Sequence, residues 1–225
     1  MRILIVKTSS MGDVVHALPA VSDMLCAQPG LQVDWLVEAP FAAIPRLHAG
    51  VQRVLPLAWR KWRKTLFAAD TRAAMAALRG ELRRERYDWV LDLQGLLKSV
   101  LWGLQAKGPL LGYGFASIRE PAAALFYRRR ATVSRALQAV ERNRRLAAAH
   151  LGYPMPDSAP DFGTATFDIQ SAASRIQAAT TGNVTLERCV GRAQDCGCSL
   201  KSDGASHGPP AVLRHVLTQH RITQS

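Results

Sequence analysis

Residues Ile3-Leu4-Ile5-Val6 form an unbroken apolar run that stops abruptly at Lys7-Thr8-Ser9-Ser10-Met11-Gly12-Asp13. A short run rich in β-branched residues is the pattern of a strand buried on both faces of a parallel sheet. Beyond it Val14, Val15, Leu18, Val21, Met24 and Leu25 recur at three- and four-residue spacing, which predicts one amphipathic helix. Strand, small polar turn and helix make the first half of a βαβ unit. Its turn falls at the carboxyl end of the strand, where open α/β sheets bind ligands. Asp13 stands in that turn, an ionisable carboxylate among hydroxyls and backbone amides.

The same rhythm continues. Pro29-Gly30 turns the chain into a second strand over 33–38, and Pro40 opens a short helix to about His48. Residues 51–57 predict a third strand, followed by the basic segment Trp59-Arg60-Lys61-Trp62-Arg63-Lys64. Residues 68–86 read as an amphipathic helix with Ala74, Leu78 and Leu82 inside and Arg79, Arg83, Arg84 and Arg86 outside. A fourth strand over 87–93 leads through Gln94-Gly95 into a helix over 96–105, and 110–113 read as a short fifth strand. Residues 118–127 and 134–151 carry helical patterns, the second stopped by Gly152-Tyr153-Pro154. Alternation of this kind predicts an α/β fold with a Rossmann-like, doubly wound parallel sheet over residues 1–162.

After Phe162 the character changes. All Trp and Tyr residues precede that point, and Ala, Thr, Ser, Gly, Gln and Cys dominate beyond it. Val212, Leu213, Val216 and Leu217 suggest one short helix, and the rest of 163–225 is expected to be a poorly structured tail. A 225-residue chain with 48% hydrophobic residues fits one full domain plus a fragment, and this tail is too poor in pattern to supply a second α/β domain. Of the net charge of +12, most lies before the break: 23 Lys and Arg face 13 Asp and Glu up to Phe162, against 6 and 4 after it. A basic domain implies an anionic partner, whether nucleic acid, phosphorylated lipid or a membrane surface. No stretch approaches the ~18 apolar residues of a membrane span. Ile3–Val6 is too short for a signal-peptide core, so a cytosolic protein is expected. Cys26 reads as a small core residue on the first helix. Cys189, Cys196 and Cys198 lack the paired spacing of a zinc site, and no metal is expected.

Four stretches carry candidate chemistry. The loop of Ser9, Ser10, Gly12 and Asp13 has too few glycines for a dinucleotide fingerprint and no Walker lysine. Asp13 or Ser10 suits a helix cap, and Asp13 equally suits a general base that takes a proton from an attacking hydroxyl. Arg60, Lys61, Arg63 and Lys64 set four cations in a segment with two Trp, which fits phosphate binding with the indoles as a stacking or interfacial surface; the plain alternative is a solvated basic loop. Gln94 and Lys98, on the turn after the fourth strand, would share a ligand with the first loop, or simply form a capped turn with Lys98 in solvent. Arg119, ahead of Pro121, is placed to grip a carboxylate or phosphate, whereas Arg128-Arg129-Arg130 reads as a solvated or membrane-facing patch.

Taken together, KTSSMGDVVHALPA, WRKWRK, DLQGLLKS and REP…LFY, in this order and spacing over residues 1–161, resemble the ADP-heptose:lipopolysaccharide heptosyltransferases, bacterial glycosyltransferases of the two-domain GT-B architecture. The resemblance implies an acceptor-binding domain over 1–162 and a reaction that moves heptose from ADP-heptose to Kdo2–lipid A. It also implies inversion at the anomeric centre, no metal or other cofactor, and work at the cytoplasmic face of the inner membrane. By position it makes Asp13 the base, held by Ser9, Ser10 and Gly12. Arg60, Lys61, Arg63 and Lys64 become acceptor-binding cations and Arg119 the family's loop arginine, while Gln94 and Lys98 rest on the reading of the turn alone. It accounts for the basic surface without nucleic acid. In such enzymes a second domain binds the nucleotide sugar. Here the divergent tail of 163–225, of the kind a frameshift and premature stop would produce, stands in its place, so donor binding and activity are expected to be impaired. The rival reading is a non-catalytic basic module that binds anionic membrane lipid or nucleic acid. A nucleotide-dependent Rossmann enzyme is disfavoured by the missing glycines.

Overall fold

The computed structural model describes residues 1–164. The predicted short helix at Val212–Leu217, the cysteine cluster at 189–198 and nearly all of the tail lie outside them. The first apolar run is β1 (Arg2–Val6), and its residues Ile3 to Val6 are fully buried. β2 (Gln32–Glu38), β3 (Val51–Leu57), β4 (Trp89–Asp92), β5 (Leu110–Tyr113) and β6 (Arg129–Ala131) complete a six-stranded sheet in the order β3-β2-β1-β4-β5-β6. Every pairing is parallel, with Ile3 opposite both Val33 and Trp89 and Val6 opposite both Leu36 and Asp92. The chain winds outward from β1 to β3, then returns to add β4 on the other side. The carboxyl ends of β1 and β4 therefore flank the point where the winding reverses, the crevice in which such sheets hold ligands.

The helices cover both faces. Right-handed crossovers put α2 (Leu18–Ala27) and α3 (Ala43–Arg46) on one face, and α5 (Ala69–Arg84) and α6 (Leu97–Gly103) on the other. α7 (Ala139–Leu151) packs on α2. Arg144 of α7 donates to both carboxylate oxygens of Asp23 on α2, Nε to Oδ2 at 2.6 Å and Nη2 to Oδ1 at 3.1 Å, with both side chains buried. Gly152, in the left-handed region at φ 78°, ends α7, a conformation that costs glycine little. Among the described residues no helix is long and apolar enough to cross a membrane.

Several local expectations are corrected. The single first helix is two: α1 (Met11–Val15) stops at His16, and α2 starts afresh with Pro19 in its first turn. Proline, lacking an N–H, is tolerated at a helix start but not inside one. Cys26 is exposed rather than in the core: it lies two residues past buried Met24, about 200° round the helix. The helix expected at 118–127 is only a 3-10 turn, Pro121–Phe126, and α7 begins five residues later than its pattern suggests. Two of the three consecutive arginines, read as a surface patch, form β6. Its two arginine side chains stay exposed while its backbone pairs with β5, as suits a short, charged edge strand.

Candidate active site

Two loops meet at the reversal point. Gln94, at the end of β4, directs its side-chain oxygen at the amides of Thr8 (3.0 Å) and Ser9 (3.1 Å). Lys98, on the first turn of α6, donates to Ser9 Oγ at 2.8 Å. Gln94 and Lys98 thus shape the first loop from across the sheet, and Lys98 is half-buried rather than loose in solvent. Buried Asp92 fixes the second loop in turn. It accepts the amides of Gln94 and Gly95 and the hydroxyls of Ser99 and Tyr127, all within 3.1 Å.

Asp13 sits on α1 above this junction. Its Oδ2 accepts the Ser10 amide at 2.8 Å and the Ser10 hydroxyl at 3.1 Å, so Asp13 does act as the reciprocal half of a helix cap. No hydrogen bond falls on Oδ1 among the described residues, which leaves one carboxylate oxygen for other chemistry. Partial burial acts to raise the Asp13 carboxyl, but the Ser10 amide and the Lys7 charge outweigh it and hold the group below the usual carboxylate range. A Cβ on Gly12 would meet open space, so no steric demand explains glycine there.

Asp13 lines a cavity of about 100 Å³ with Lys7, Gln94, Tyr113, Arg119, Arg142 and Asn143 among its walls. Lys7 is buried and donates to the Leu93 carbonyl at 2.8 Å. Burial pulls its ammonium down to about 8, against the attraction of Asp13 and Asp92. Arg142, on α7, donates to the Ser117 carbonyl at 2.8 Å and lies 5.0 Å from the centre of the Tyr113 ring. Asn143 donates to the His16 carbonyl at 3.0 Å, which ties α7 to the end of α1. Three cations and one carboxylate around so small a space favour an anionic or hydroxyl-rich ligand with one group presented to Asp13.

The basic segment forms a one-turn helix, α4 (Trp59–Trp62), at the carboxyl end of β3. Arg60, Lys61, Arg63 and Lys64 are exposed and do not line the Asp13 cavity. Its indoles are not the free stacking surface expected of them. Trp62 is buried, and both Trp59 and Trp62 pack on Trp102 of α6, with ring centres 6.4 and 5.5 Å away. Trp102 is apolar and within reach, so burial claims the rings and leaves the cations outside. Glu38, the last residue of β2, lies between the charges of this segment and Lys98 of the second loop. That carboxylate is buried, and burial raises it above its ordinary range despite the nearby charges of Lys98, Arg60 and Arg63.

The structure thus brings Asp13, Gln94 and Arg119 around one cavity, with Ser9, Ser10 and Lys98 in its supporting loops. Lys7, Glu38, Tyr113, Arg142 and Asn143 are what sequence reading missed. Lys7 and Glu38 each end an apolar strand, and a charge at the carboxyl end of a predicted parallel strand is the signal that would have found them.

The sequence model of Glycosyltransferase family 9 (heptosyltransferase) matches residues 75–191. Lipopolysaccharide heptosyltransferase 1 of Escherichia coli strain K12 is 49% identical over 166 residues, which are 73% of this chain and 52% of that protein. The Pseudomonas aeruginosa PAO1 protein of the same name is 48% identical over 164 residues, 72% of this chain and 46% of its own. Among solved structures, E. coli heptosyltransferase WaaC with ADP-2-deoxy-2-fluoro heptose superposes with a TM-score of 0.71 at 47% identity, covering 73% of this chain and 52% of that one. E. coli ADP-heptose lps heptosyltransferase II shares the fold at 20% identity, with a TM-score of 0.56 over 80% of this chain and 51% of that one. The chain spans about half the length of the curated relatives it matches. With the family's sequence pattern across more than half its length and a GT-B neighbour's fold in its sheet, the chain belongs to glycosyltransferase family 9, the heptosyltransferases.

Proposed function

We propose that this chain provides the acceptor side of heptose transfer from ADP-heptose to Kdo2–lipid A in lipopolysaccharide core synthesis. The observation that carries the reading is the single cavity in which Asp13, with one oxygen unpartnered, stands among Lys7, Arg119 and Arg142. A Kdo hydroxyl placed there gives its proton to Asp13 Oδ1 as its oxygen bonds to the heptose anomeric carbon. The bond from that carbon to the phosphate oxygen breaks on the opposite face, ADP leaves with the electron pair, and the centre inverts. A carboxylate held ionised is competent to receive the proton, and Lys7, Arg119 and Arg142 orient the anionic acceptor for in-line attack. Arg60, Lys61, Arg63 and Lys64 hold the phosphates of lipid A further out. The donor is a substrate, and this step asks for no metal or other cofactor. The site of action is the cytoplasmic face of the inner membrane, with no role for nucleic acid. Residues 1–162 as the acceptor domain follow from the same reading.

The test joins residues 1–162 to the remaining half of the E. coli relative and measures heptose transfer to deacylated Kdo2–lipid A. Transfer that Asp13→Asn abolishes is expected. A chimaera that folds and binds ADP-heptose but transfers nothing would overturn the proposal. The basic-module reading makes its own demand, tighter binding of the 225-residue chain to duplex DNA than to the acceptor at matched salt.

A further inference from the structure

Glu38 closes β2 as a buried carboxylate that the transfer step does not use. It is 1% exposed, and its Oε1 has no hydrogen-bond partner among the described residues. The fold fixes it between two cationic elements. Its amide donates to the Thr8 carbonyl at 3.0 Å, and Ser9, the next residue of that loop, takes a hydrogen bond from Lys98 Nζ at 2.8 Å. On its other side Glu38 lies in register with Leu57, the last residue of β3, and α4 begins just beyond at Trp59. The guanidinium of Arg60 lies 5.6 Å from the centre of the Phe41 ring, on the turn that follows Glu38. Lys98, Arg60 and Arg63 all act on the Glu38 carboxylate, and Glu120 faces Lys98 as well. Yet none of the three cations forms an ion pair among the described residues.

A buried carboxylate near three cations, and paired with none, is under two opposed influences. The cations favour its ionised form and burial its neutral form, and here burial is the stronger. An anion seated on the cations cancels their share and makes a proton on Glu38 easier to hold. Coupling of this kind is reciprocal, so the proton strengthens anion binding by the same factor. We infer that Glu38 governs the affinity of Lys98 and the α4 cations for their anionic ligand: ionised, its carboxylate opposes the anion, and the anion therefore binds together with a proton. The inference rests on the proposed reading of these cations as an acceptor site, and it makes Glu38 a specificity-determining residue of that site.

The full 225-residue chain is titrated calorimetrically with deacylated Kdo2–lipid A and, separately, with inositol hexasulfate, whose sulfates keep their charge from about pH 5 to about pH 7. Over that range Lys7, with its ammonium near 8, stays protonated. Affinity for the hexasulfate should rise as pH falls, with proton uptake read from the dependence of the heat on the buffer. Glu38→Gln keeps the shape and removes the charge. It should bind both anions about 5-fold tighter near neutral pH, as loss of one nearby like charge would, and take up fewer protons. Its melting temperature should equal or exceed the parent's, because a buried charge is gone. A merely structural Glu38 predicts the opposite sign, weaker binding and a lower melting temperature. The parent carries a second measurement: hexasulfate should move the midpoint of the Glu38 carboxyl carbon-13 titration upward. Unchanged or weaker binding by a folded Glu38→Gln, or a carboxyl midpoint that hexasulfate leaves in place, would each overturn the inference. Failure of the acceptor reading looks different: deacylated Kdo2–lipid A would not bind, while hexasulfate would still bring a proton to Glu38.

Discussion

Gln94 holds Ser9 by its backbone: the Gln94 side-chain oxygen accepts the Ser9 amide at 3.1 Å and the neighbouring Thr8 amide at 3.0 Å, across some 85 residues of sequence. Gln94→Met keeps the volume and removes the acceptor, which leaves two amides at the carboxyl end of β1 without a partner. The expected loss is about 1–3 kcal/mol, read as a drop in melting temperature of roughly 2–4 °C per kcal/mol. Gln94→Glu keeps an acceptor oxygen and should recover most of it. An unshifted melting curve for Gln94→Met would show that the loop holds its own shape.

Asp13 combines a cap with a free oxygen, and its two roles separate by substitution. Asp13→Asn preserves an oxygen able to accept the Ser10 amide, so stability should fall by no more than the ~0.5–2 kcal/mol of a lost cap. Acceptor affinity should hardly change. Transfer by the chimaera should fall by about 10²- to 10⁴-fold, the range of a removed general base. Retention of more than a tenth of the activity would reduce Asp13 to a cap.

Lys7 makes the site sensitive to alkali. Asp13, Asp92 and Arg142 all face it, and burial sets its ammonium near 8, below its ordinary 10.5. Between those two values the unfolded chain binds more protons than the native one, so global stability should rise with pH from about 8 to about 10.5. Transfer should fall over the start of the same range, as the positive charge beside Asp13 is lost. Lys7→Arg, which stays charged, should carry activity to higher pH, while Lys7→Met should remove that limb of the profile. A profile flat through pH 9 in the parent would refute the assignment. Asp13 works in the opposite sense: its depressed carboxyl adds stability that is present above the ordinary carboxylate range and lost as pH falls through it.

What the sequence reveals is what has a short period. The runs at 3–6, 33–37, 51–57 and 110–113 mark five of six strands with the one at 89–92, and the loop at their carboxyl ends points to Asp13, Gln94 and Arg119. Side chains that act at long range leave no such mark. Asn143 reaches the carbonyl of His16 across 127 positions, from a helix whose periodicity marks its apolar side but not the partner of a polar one. Arg142 comes from the same helix. The indoles of Trp59 and Trp62 look idle until α6 brings Trp102 to them. β6 is three residues long and needs only β5 beside it, so no periodicity announces it.

The pairing of Asp23 with Arg144 gives a last prediction, which reaches from packing to function. Both groups are buried, and Asp23 takes two of the guanidinium's hydrogen bonds. Asp23→Ala leaves a buried cation without its counter-charge, which costs about 3–5 kcal/mol, whereas replacing both partners by apolar groups of similar volume is often neutral. Asp23→Leu with Arg144→Met should therefore unfold at a higher urea midpoint than Asp23→Ala alone. The same ion pair seats α7 against α2, and the two residues before Arg144 are Arg142 and Asn143, which line the Asp13 cavity. A loosened α7 should move both, so Asp23→Ala should weaken binding of deacylated acceptor even at temperatures where the chain stays folded, and the double substitution should restore it. If Asp23→Ala lost stability yet bound acceptor as tightly as the parent, α7 would be a structural brace alone, and Arg142 would have to be removed from the acceptor site.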